Sequence, residues 1–303
     1  MNATAPDIRG VIVPLTTPID KNDKIDLKTL ERHINYLIEA GVKTIIANAG
    51  TGDYNSLNES ERKQIAETAV DIVDGRINVL VGTSACSTRT AIQWSKHAES
   101  IGAKGVMVSP PYYDVKSNID IVSRHFANIS DAISIPILIY NHDGTIQGLL
   151  NVEEVEKICK VANTPWIKLT TDNIHQIPEL HSRLGKDFLC FEGVDQLIYS
   201  AGFIGAAGAI SGLANAAPKL FLQLWDLIEK KDIEAAHALH LKLHPFLELA
   251  CSMYNGVSIF IAVIKEIQRL KGYEMGATFL PYGSLEDHQK TRVLEICKEL
   301  QII

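Results

Sequence analysis

Ile137-Leu138-Ile139-Tyr140-Asn141 and, further along, Trp166-Ile167-Lys168-Leu169 are two short apolar runs, each broken near its end by a residue able to do chemistry. Such runs are too short for helices and lack the polar alternation of a half-exposed strand, so they read as strands covered on both faces. Six more lie along the chain: Val11–Thr16, Thr44–Asn48, Asn78–Gly82, Gly105–Ser109, Phe188–Phe191 and Ala209–Ser211. Between them, segments such as Leu27–Ala40, Glu59–Val73 and Thr88–Ile101 carry apolar residues three and four apart, with Asn58 and Ser87 placed as caps. Strand and helix in alternation force parallel pairing, because parallel neighbours need a crossover. Eight such units predict an α/β fold, a closed (β/α)8 TIM barrel, whereas a doubly wound sheet would more often show fewer strands and a glycine-rich first turn.

After Ala214 the strand pattern stops. From Pro218 onward only helical patterns follow, roughly Lys219–Glu229, Ile233–Met253, Val257–Leu270 and Leu285–Leu300, where a barrel needs one helix. The expected organisation is a barrel core over residues 1–214, then the last barrel helix and a C-terminal helical extension over 215–303. The Pro and Gly content near Gly272–Gly283 is that of an ordinary loop, so both parts are expected to form one continuous unit.

The 303 residues are 46% hydrophobic and 21% charged, the balance of a folded enzyme with a sizeable core. A net charge of -7 without a dense Lys/Arg run argues against nucleic acid and anionic membrane surfaces as partners. Five separated cysteines with no CxxC pair do not suit a disulfide framework or a zinc knuckle. The N-terminal residues lack a basic stretch with a long apolar run, and no apolar segment reaches the length of a membrane span. A cytoplasmic location is the resulting expectation.

In a parallel barrel the C-terminal strand ends converge on one mouth, so the residues there are the candidates for function. Lys168 sits in a stretch where an ammonium ion loses hydration, which favours the neutral, nucleophilic amine needed to condense with a ketone. A strand-end lysine that snorkels to solvent is the alternative. Tyr140 ends the neighbouring strand, and strands about 4.8 Å apart let both side chains share a cavity if both point inward. A phenol there can shuttle protons, or simply line the barrel. Ala49-Gly50-Thr51-Gly52-Asp53 combines exposed backbone N–H groups with a hydroxyl, which suits a carboxylate, though a tight strand-to-helix turn needs the same residues. Ile210 lies near the end of the eighth run, and His142 and Asp143, directly after Tyr140-Asn141, can reach the far end of a substrate or lie in a surface loop. Ten histidines are present without metal-ligand spacing at a strand end, so no metal is expected.

From about Arg9 to Leu300 these residues resemble the dihydrodipicolinate synthase / N-acetylneuraminate lyase family of class I aldolases. Gly10-Val11 through Thr17-Pro18 is similar to the family's opening strand, and Gly50-Thr51-Gly52-Asp53 with Leu57, Glu59 and Glu61 to its glycine-threonine-glycine-acid loop. Tyr140-Asn141 resembles the catalytic tyrosine-asparagine pair, Ile167-Lys168 the Schiff-base lysine, and Gly193-Val194-Asp195 with Gly208 to Asn215 the last two turns. The resemblance implies imine formation at Lys168 with pyruvate or a small 2-oxo acid, Tyr140 as proton shuttle, and Gly50, Thr51 and Gly52 around the substrate carboxylate. It implies no cofactor beyond the covalent imine, and a homotetramer built from tight dimers in which Tyr113 reaches a neighbouring subunit's proton relay.

Two departures bear on the reaction. Gly50 stands where the family often carries Thr or Ser of that relay. After Tyr140-Asn141 the synthases continue with a proline and an arginine that clamps a second substrate carboxyl, whereas this chain reads His142-Asp143-Gly144-Thr145-Ile146-Gln147-Gly148, so that Thr145 or Gln147 would offer only neutral hydrogen bonds. The loop and the Tyr-Asn-x-Asp string also resemble the family's sugar-acid dehydratases, particularly the 5-dehydro-4-deoxyglucarate type. A catalytically silent barrel that binds a metabolite is a third possibility, and a phosphate-binding barrel enzyme using Gly205–Gly212 a fourth.

Overall fold

The computed structural model describes residues 5–113, 118–144, 148–254 and 256–303. Eight strands form the barrel: β1 (Gly10–Pro14), β2 (Thr44–Ala47), β3 (Asn78–Gly82), β4 (Gly105–Val108), β5 (Ile137–His142), β6 (Trp166–Thr170), β7 (Leu189–Glu192) and β8 (Gly208–Ile210). Each is followed by a helix: α1 (Leu27–Glu39), α2 (Glu59–Val73), α3 (Thr88–Ser100), α4 (Ile119–Ser130), α5 (Val152–Cys159), α6 (Gln176–Leu184), α7 (Ile198–Phe203) and α8 (Pro218–Glu229). Every strand pairs in parallel with the next, and β8 pairs with β1 to close the barrel. Asn58 and Ser87 cap α2 and α3 as expected, Asn58 in a reciprocal capping box with Glu61.

The pleat sorts the apolar residues into two cores. Ile12, Ile46, Leu80, Met107, Leu138, Trp166, Phe191 and Ile210 point into the barrel, where they pack together. Their alternates, such as Val13, Ile45, Val81, Ile139, Ile167 and Cys190, face outward and bury against the helices. This is why the strands read as continuous hydrophobic runs: both faces are dry. Tyr140 and Lys168 share parity with Leu138 and Trp166, so the pleat aims them inward.

The C-terminal extension departs from the expected helices in one place. The helix expected over Ile233–Met253 ends earlier, as α9 (Ile233–Ala250), and the one expected from Val257 begins later, as α10 (Phe260–Leu270), before α11 (Asp287–Glu299). Between them β9 (Met253–Tyr254) and β10 (Val257–Ser258) pair antiparallel, Tyr254 against Val257 and Met253 against Ser258. Gly256 before β10 takes a positive φ, which suits a tight turn and stops a helix.

A buried polar network ties the extension to the barrel mouth. The Asn215 side chain accepts from the Thr16 N–H (3.2 Å) and from His33 Nε2 (2.8 Å), and donates to the carbonyls of Pro14 (2.7 Å) and Gly212 (2.9 Å). Gln268 on α10 joins it, donating to the Thr16 hydroxyl at 3.1 Å. His33 is fully buried, and loss of hydration lowers its pKa to about 4, so the ring is neutral in the fold.

Replacing Asn215 with Ala strips partners from several buried groups at once, and is expected to cost roughly 2–4 kcal/mol in urea denaturation; a cost below about 0.5 kcal/mol would contradict this role. His33 makes a second prediction with a fixed sign. Its folded pKa of about 4 lies below the unfolded value of 6.5, so the unfolded chain binds the extra proton between them. The stability it contributes is complete above pH 6.5 and is lost as pH falls toward 4, so in urea melts across this window His33→Gln should lose less stability on acidification than the native chain.

Candidate active site

Lys168 and Tyr140 are register partners on adjacent strands, and one layer further toward the mouth Thr170 partners His142. Both layers open into a cavity of about 460 Å³ at the C-terminal strand ends. The ammonium of Lys168 lies 4.6 Å from the centre of the Tyr140 ring. Only 7% of Lys168 is exposed, and the resulting loss of hydration lowers its pKa from 10.5 to about 8, against the opposing pull of the Asp195 and Glu192 charges. Burial drives the Tyr140 phenol well above its ordinary pKa, and the nearby Thr170 hydroxyl opposes this only in part, so the phenol keeps its proton. A poorly hydrated amine therefore faces a proton-bearing hydroxyl group across one small cavity.

Two buried carboxyls flank the lysine. Asp195, in the turn after β7, lines the cavity and accepts from the Ser211 hydroxyl, which itself accepts from the Ala214 N–H at 3.1 Å. Burial raises Asp195 to about 6. Glu192 ends β7, accepts from the Val194 N–H at 2.7 Å, and is raised by burial to about 7. Gly193 between them is forced by space: a Cβ there would lie 2.7 Å from Lys168 Cε and 2.2 Å from Thr170 Oγ1.

Of the residues singled out in the sequence, Lys168, Tyr140, Gly50, Thr51, Ile210 and His142 all line this cavity. Gly50 and Thr51 stand in a 3-10 turn after β2, and a Cβ at Gly50 would meet nothing within 4 Å. Gly52 supports the turn from behind: its carbonyl accepts from the Thr17 hydroxyl at 2.7 Å, and a Cβ there would lie 2.7 Å from the Leu15 carbonyl. His142 closes β5 rather than entering a loop, and Asp143, outside the cavity lining, sits 3.4 Å from His142 Nδ1 with its side chain half-exposed. Tyr113 is 75% exposed and does not line the cavity. Thr145 and Gln147 lie outside the described residues.

Sequence reasoning passed over several contributors. Thr170 is a polar residue at the end of a dry strand, the same signal that exposed Lys168, and Asp195 was read only as part of the turn after β7. The cavity roof comes from the extension, through Cys251, Ser258, Phe260 and Ile261. Asp53 and Lys265 form a second buried pair, 3.8 Å apart, that fixes the end of the Gly50–Gly52 turn to α10; burial raises Asp53 to about 6 and lowers Lys265 to about 8. Among the described residues no cluster of three His, Cys, Asp or Glu side chains could hold a metal, and no helix is long and apolar enough to cross a membrane.

Comparison with known proteins agrees with this geometry. The sequence model of the Dihydrodipicolinate synthetase family matches residues 7–300. An uncharacterized DapA-like lyase of Pyrococcus abyssi is 35% identical over 90% of this chain and 92% of its own length. A 4-hydroxy-tetrahydrodipicolinate synthase of Methanococcus maripaludis is 30% identical over 98% of this chain and 100% of its own. Among solved structures, the dihydrodipicolinate synthase of Thermotoga maritima superposes with a TM-score of 0.89 at 29% identity, over 98% of this chain and 99% of that one. The chloride-inhibited dihydrodipicolinate synthase of Acinetobacter baumannii, complexed with pyruvate, gives 0.89 at 26% identity over 98% and 100%.

The crowding at Gly193 makes a sharp test of the site. Gly193→Ala should push the Lys168 side chain from its place and lower kcat/KM by about 100-fold with the far-UV circular dichroism of the native chain retained. Activity within about threefold of the native chain would contradict the displacement of the amine by this crowding.

Proposed function

This chain belongs to the dihydrodipicolinate synthetase family of class I aldolase-type lyases, and we propose that it forms a Schiff base between Lys168 and pyruvate or a small 2-oxo acid. The observation that carries this reading is the desolvated Lys168 amine at 4.6 Å from the ring of a phenol that keeps its proton. With a pKa of about 8, roughly one Lys168 in ten is neutral at pH 7, against a few in ten thousand at 10.5. The neutral amine adds to the keto carbon, and the resulting hydroxyl leaves as water after taking a proton from Tyr140. Loss of a proton from the neighbouring carbon turns the imine into an enamine, which attacks an aldehyde to form a carbon–carbon bond. Run backward, the same steps cleave that bond, and elimination of water next to the imine gives the dehydratase variant.

In this reading the backbone and hydroxyl at Gly50–Thr51 hold the 2-oxo acid's carboxylate, beside Gly212, where a Cβ would lie 3.2 Å from Thr51 Oγ1. The synthase relay's hydroxyl is missing at Gly50, so Tyr140 would exchange its proton through water or through Thr170, the hydroxyl that acts on it. A homotetramer of tight dimers belongs to the proposal, with the exposed Tyr113 meeting a neighbouring subunit.

Borohydride reduction after incubation with pyruvate should add the mass of pyruvic acid less one oxygen atom, located at Lys168 by peptide mass spectrometry. The rate of adduct formation should rise with pH toward about 8 and level off above it, because only the neutral amine reacts and its folded pKa is lowered. Lys168→Ala should form no adduct. Absence of any adduct across a panel of 2-oxo acids would overturn the reading.

A further inference from the structure

Resting on the Schiff-base reading, we infer that the enamine's reaction partner is an uncharged aldehyde, not one carrying its own carboxylate. Past Lys168, the cavity is walled by Thr170 and His142 from the barrel, Asp195 and Gln196 from the turn after β7, and Phe260 and Ile261 from α10. Among the described residues lining it, Lys168 is the one cationic side chain, and the imine consumes it. Arg62, the buried arginine nearest in character to a clamp, is outside the lining: its guanidinium donates to the Gly82 carbonyl at 3.1 Å and lies 3.6 Å from the centre of the Trp94 ring.

His142 does not replace a cation. Burial and the Lys168 charge lower its pKa from 6.5, the Asp143 carboxylate 3.4 Å away opposing them in part, so the ring is mostly neutral at pH 7. The fixed charge that remains is negative. Asp195, 5% exposed, lines the cavity, whereas Glu192 ends β7 outside the lining and burial raises it to about 7. The first carboxylate of the 2-oxo acid and the Asp195 carboxylate together already balance, and exceed, the single positive charge of a protonated imine. A second substrate carboxylate would be buried beside Asp195 with no partner, which is the costly arrangement for a charge in a dry site. Phe260 and Ile261 fit an uncharged chain, while Ser258 and Gln196 offer it neutral hydrogen bonds.

The step balances without any further reactant. The enamine carbon forms a bond to the aldehyde carbon, the aldehyde oxygen takes a proton and becomes a hydroxyl, and water hydrolyses the imine to release a 4-hydroxy-2-oxo acid and free Lys168. Nothing is oxidised or reduced.

The test follows pyruvate consumption by the full chain with matched aldehydes: butanal and 4-hydroxybutanal against succinic semialdehyde, and acetaldehyde against glyoxylate. Borohydride trapping with pyruvate alone runs alongside. An adduct, with kcat/KM at least tenfold higher for the uncharged member of each pair, is the expected result. Gln196→Arg, which sets a cation at the exposed rim, should then narrow that ratio by raising the carboxylated aldehydes selectively. An adduct with equal or better use of the carboxylated aldehydes overturns the inference and leaves the Schiff-base reading standing. An adduct with no uncharged aldehyde accepted overturns it too, and absence of the adduct overturns both.

Discussion

The placement of one amino group inside a dry ring of strands governs everything else at this site. Water would hold Lys168 as an ammonium ion; the difference between 10.5 and about 8 corresponds to roughly 3 kcal/mol of lost preference for the charged form. The loss is possible because Leu138 and Trp166 fill the barrel one layer beneath the lysine and because the extension roofs the cavity above it. Asp195 and Glu192 keep the shift from going further by stabilising the charge. The outcome is an amine that is both soluble in its cavity as a cation and available as a nucleophile near neutral pH.

Around that group the barrel works as a set of spacings. Parallel register sets Lys168 opposite Tyr140, and the pleat sets Thr170 and His142 one layer higher. The helical extension, which lies outside the repeating β/α pattern, shapes the site nevertheless. Its residues Cys251, Ser258, Phe260 and Ile261 complete the cavity, and Asn215, Thr16, His33 and Gln268 lock it to the mouth. Lys265 does the same for the carboxylate-binding turn through Asp53.

Much of this was legible in the sequence, for one physical reason: a strand dry on both faces leaves no innocent place for a polar residue. The eight runs stood out because each is apolar on both faces, and their ends shifted by at most two residues in the structure. Lys168 and Tyr140 stood out as exceptions within such runs. The same logic reaches Thr170, at the end of β6, which was passed over because Thr171 and Asp172 after it read as the start of a loop; Asp195 was read only as part of the turn Gly193-Val194-Asp195, three residues past β7. The hairpin of β9 and β10 was hidden by helical spacing on either side of it, although Asn255-Gly256 carries the signal for a tight turn. Roof residues such as Phe260 could not be read at all, because what brings them to the cavity is the packing of α9 and α10 on the barrel, a contact between segments far apart in sequence.

The central claim is that Lys168 is held near the edge of deprotonation by burial, and NMR on protein with its lysine Cε carbons labelled with carbon-13 measures this directly. The claim predicts a resonance titrating near pH 8 that disappears in Lys168→Ala, with the buried Lys265 and Lys271 remaining in the spectrum. A Lys168 resonance that titrates at or above 10 would contradict it.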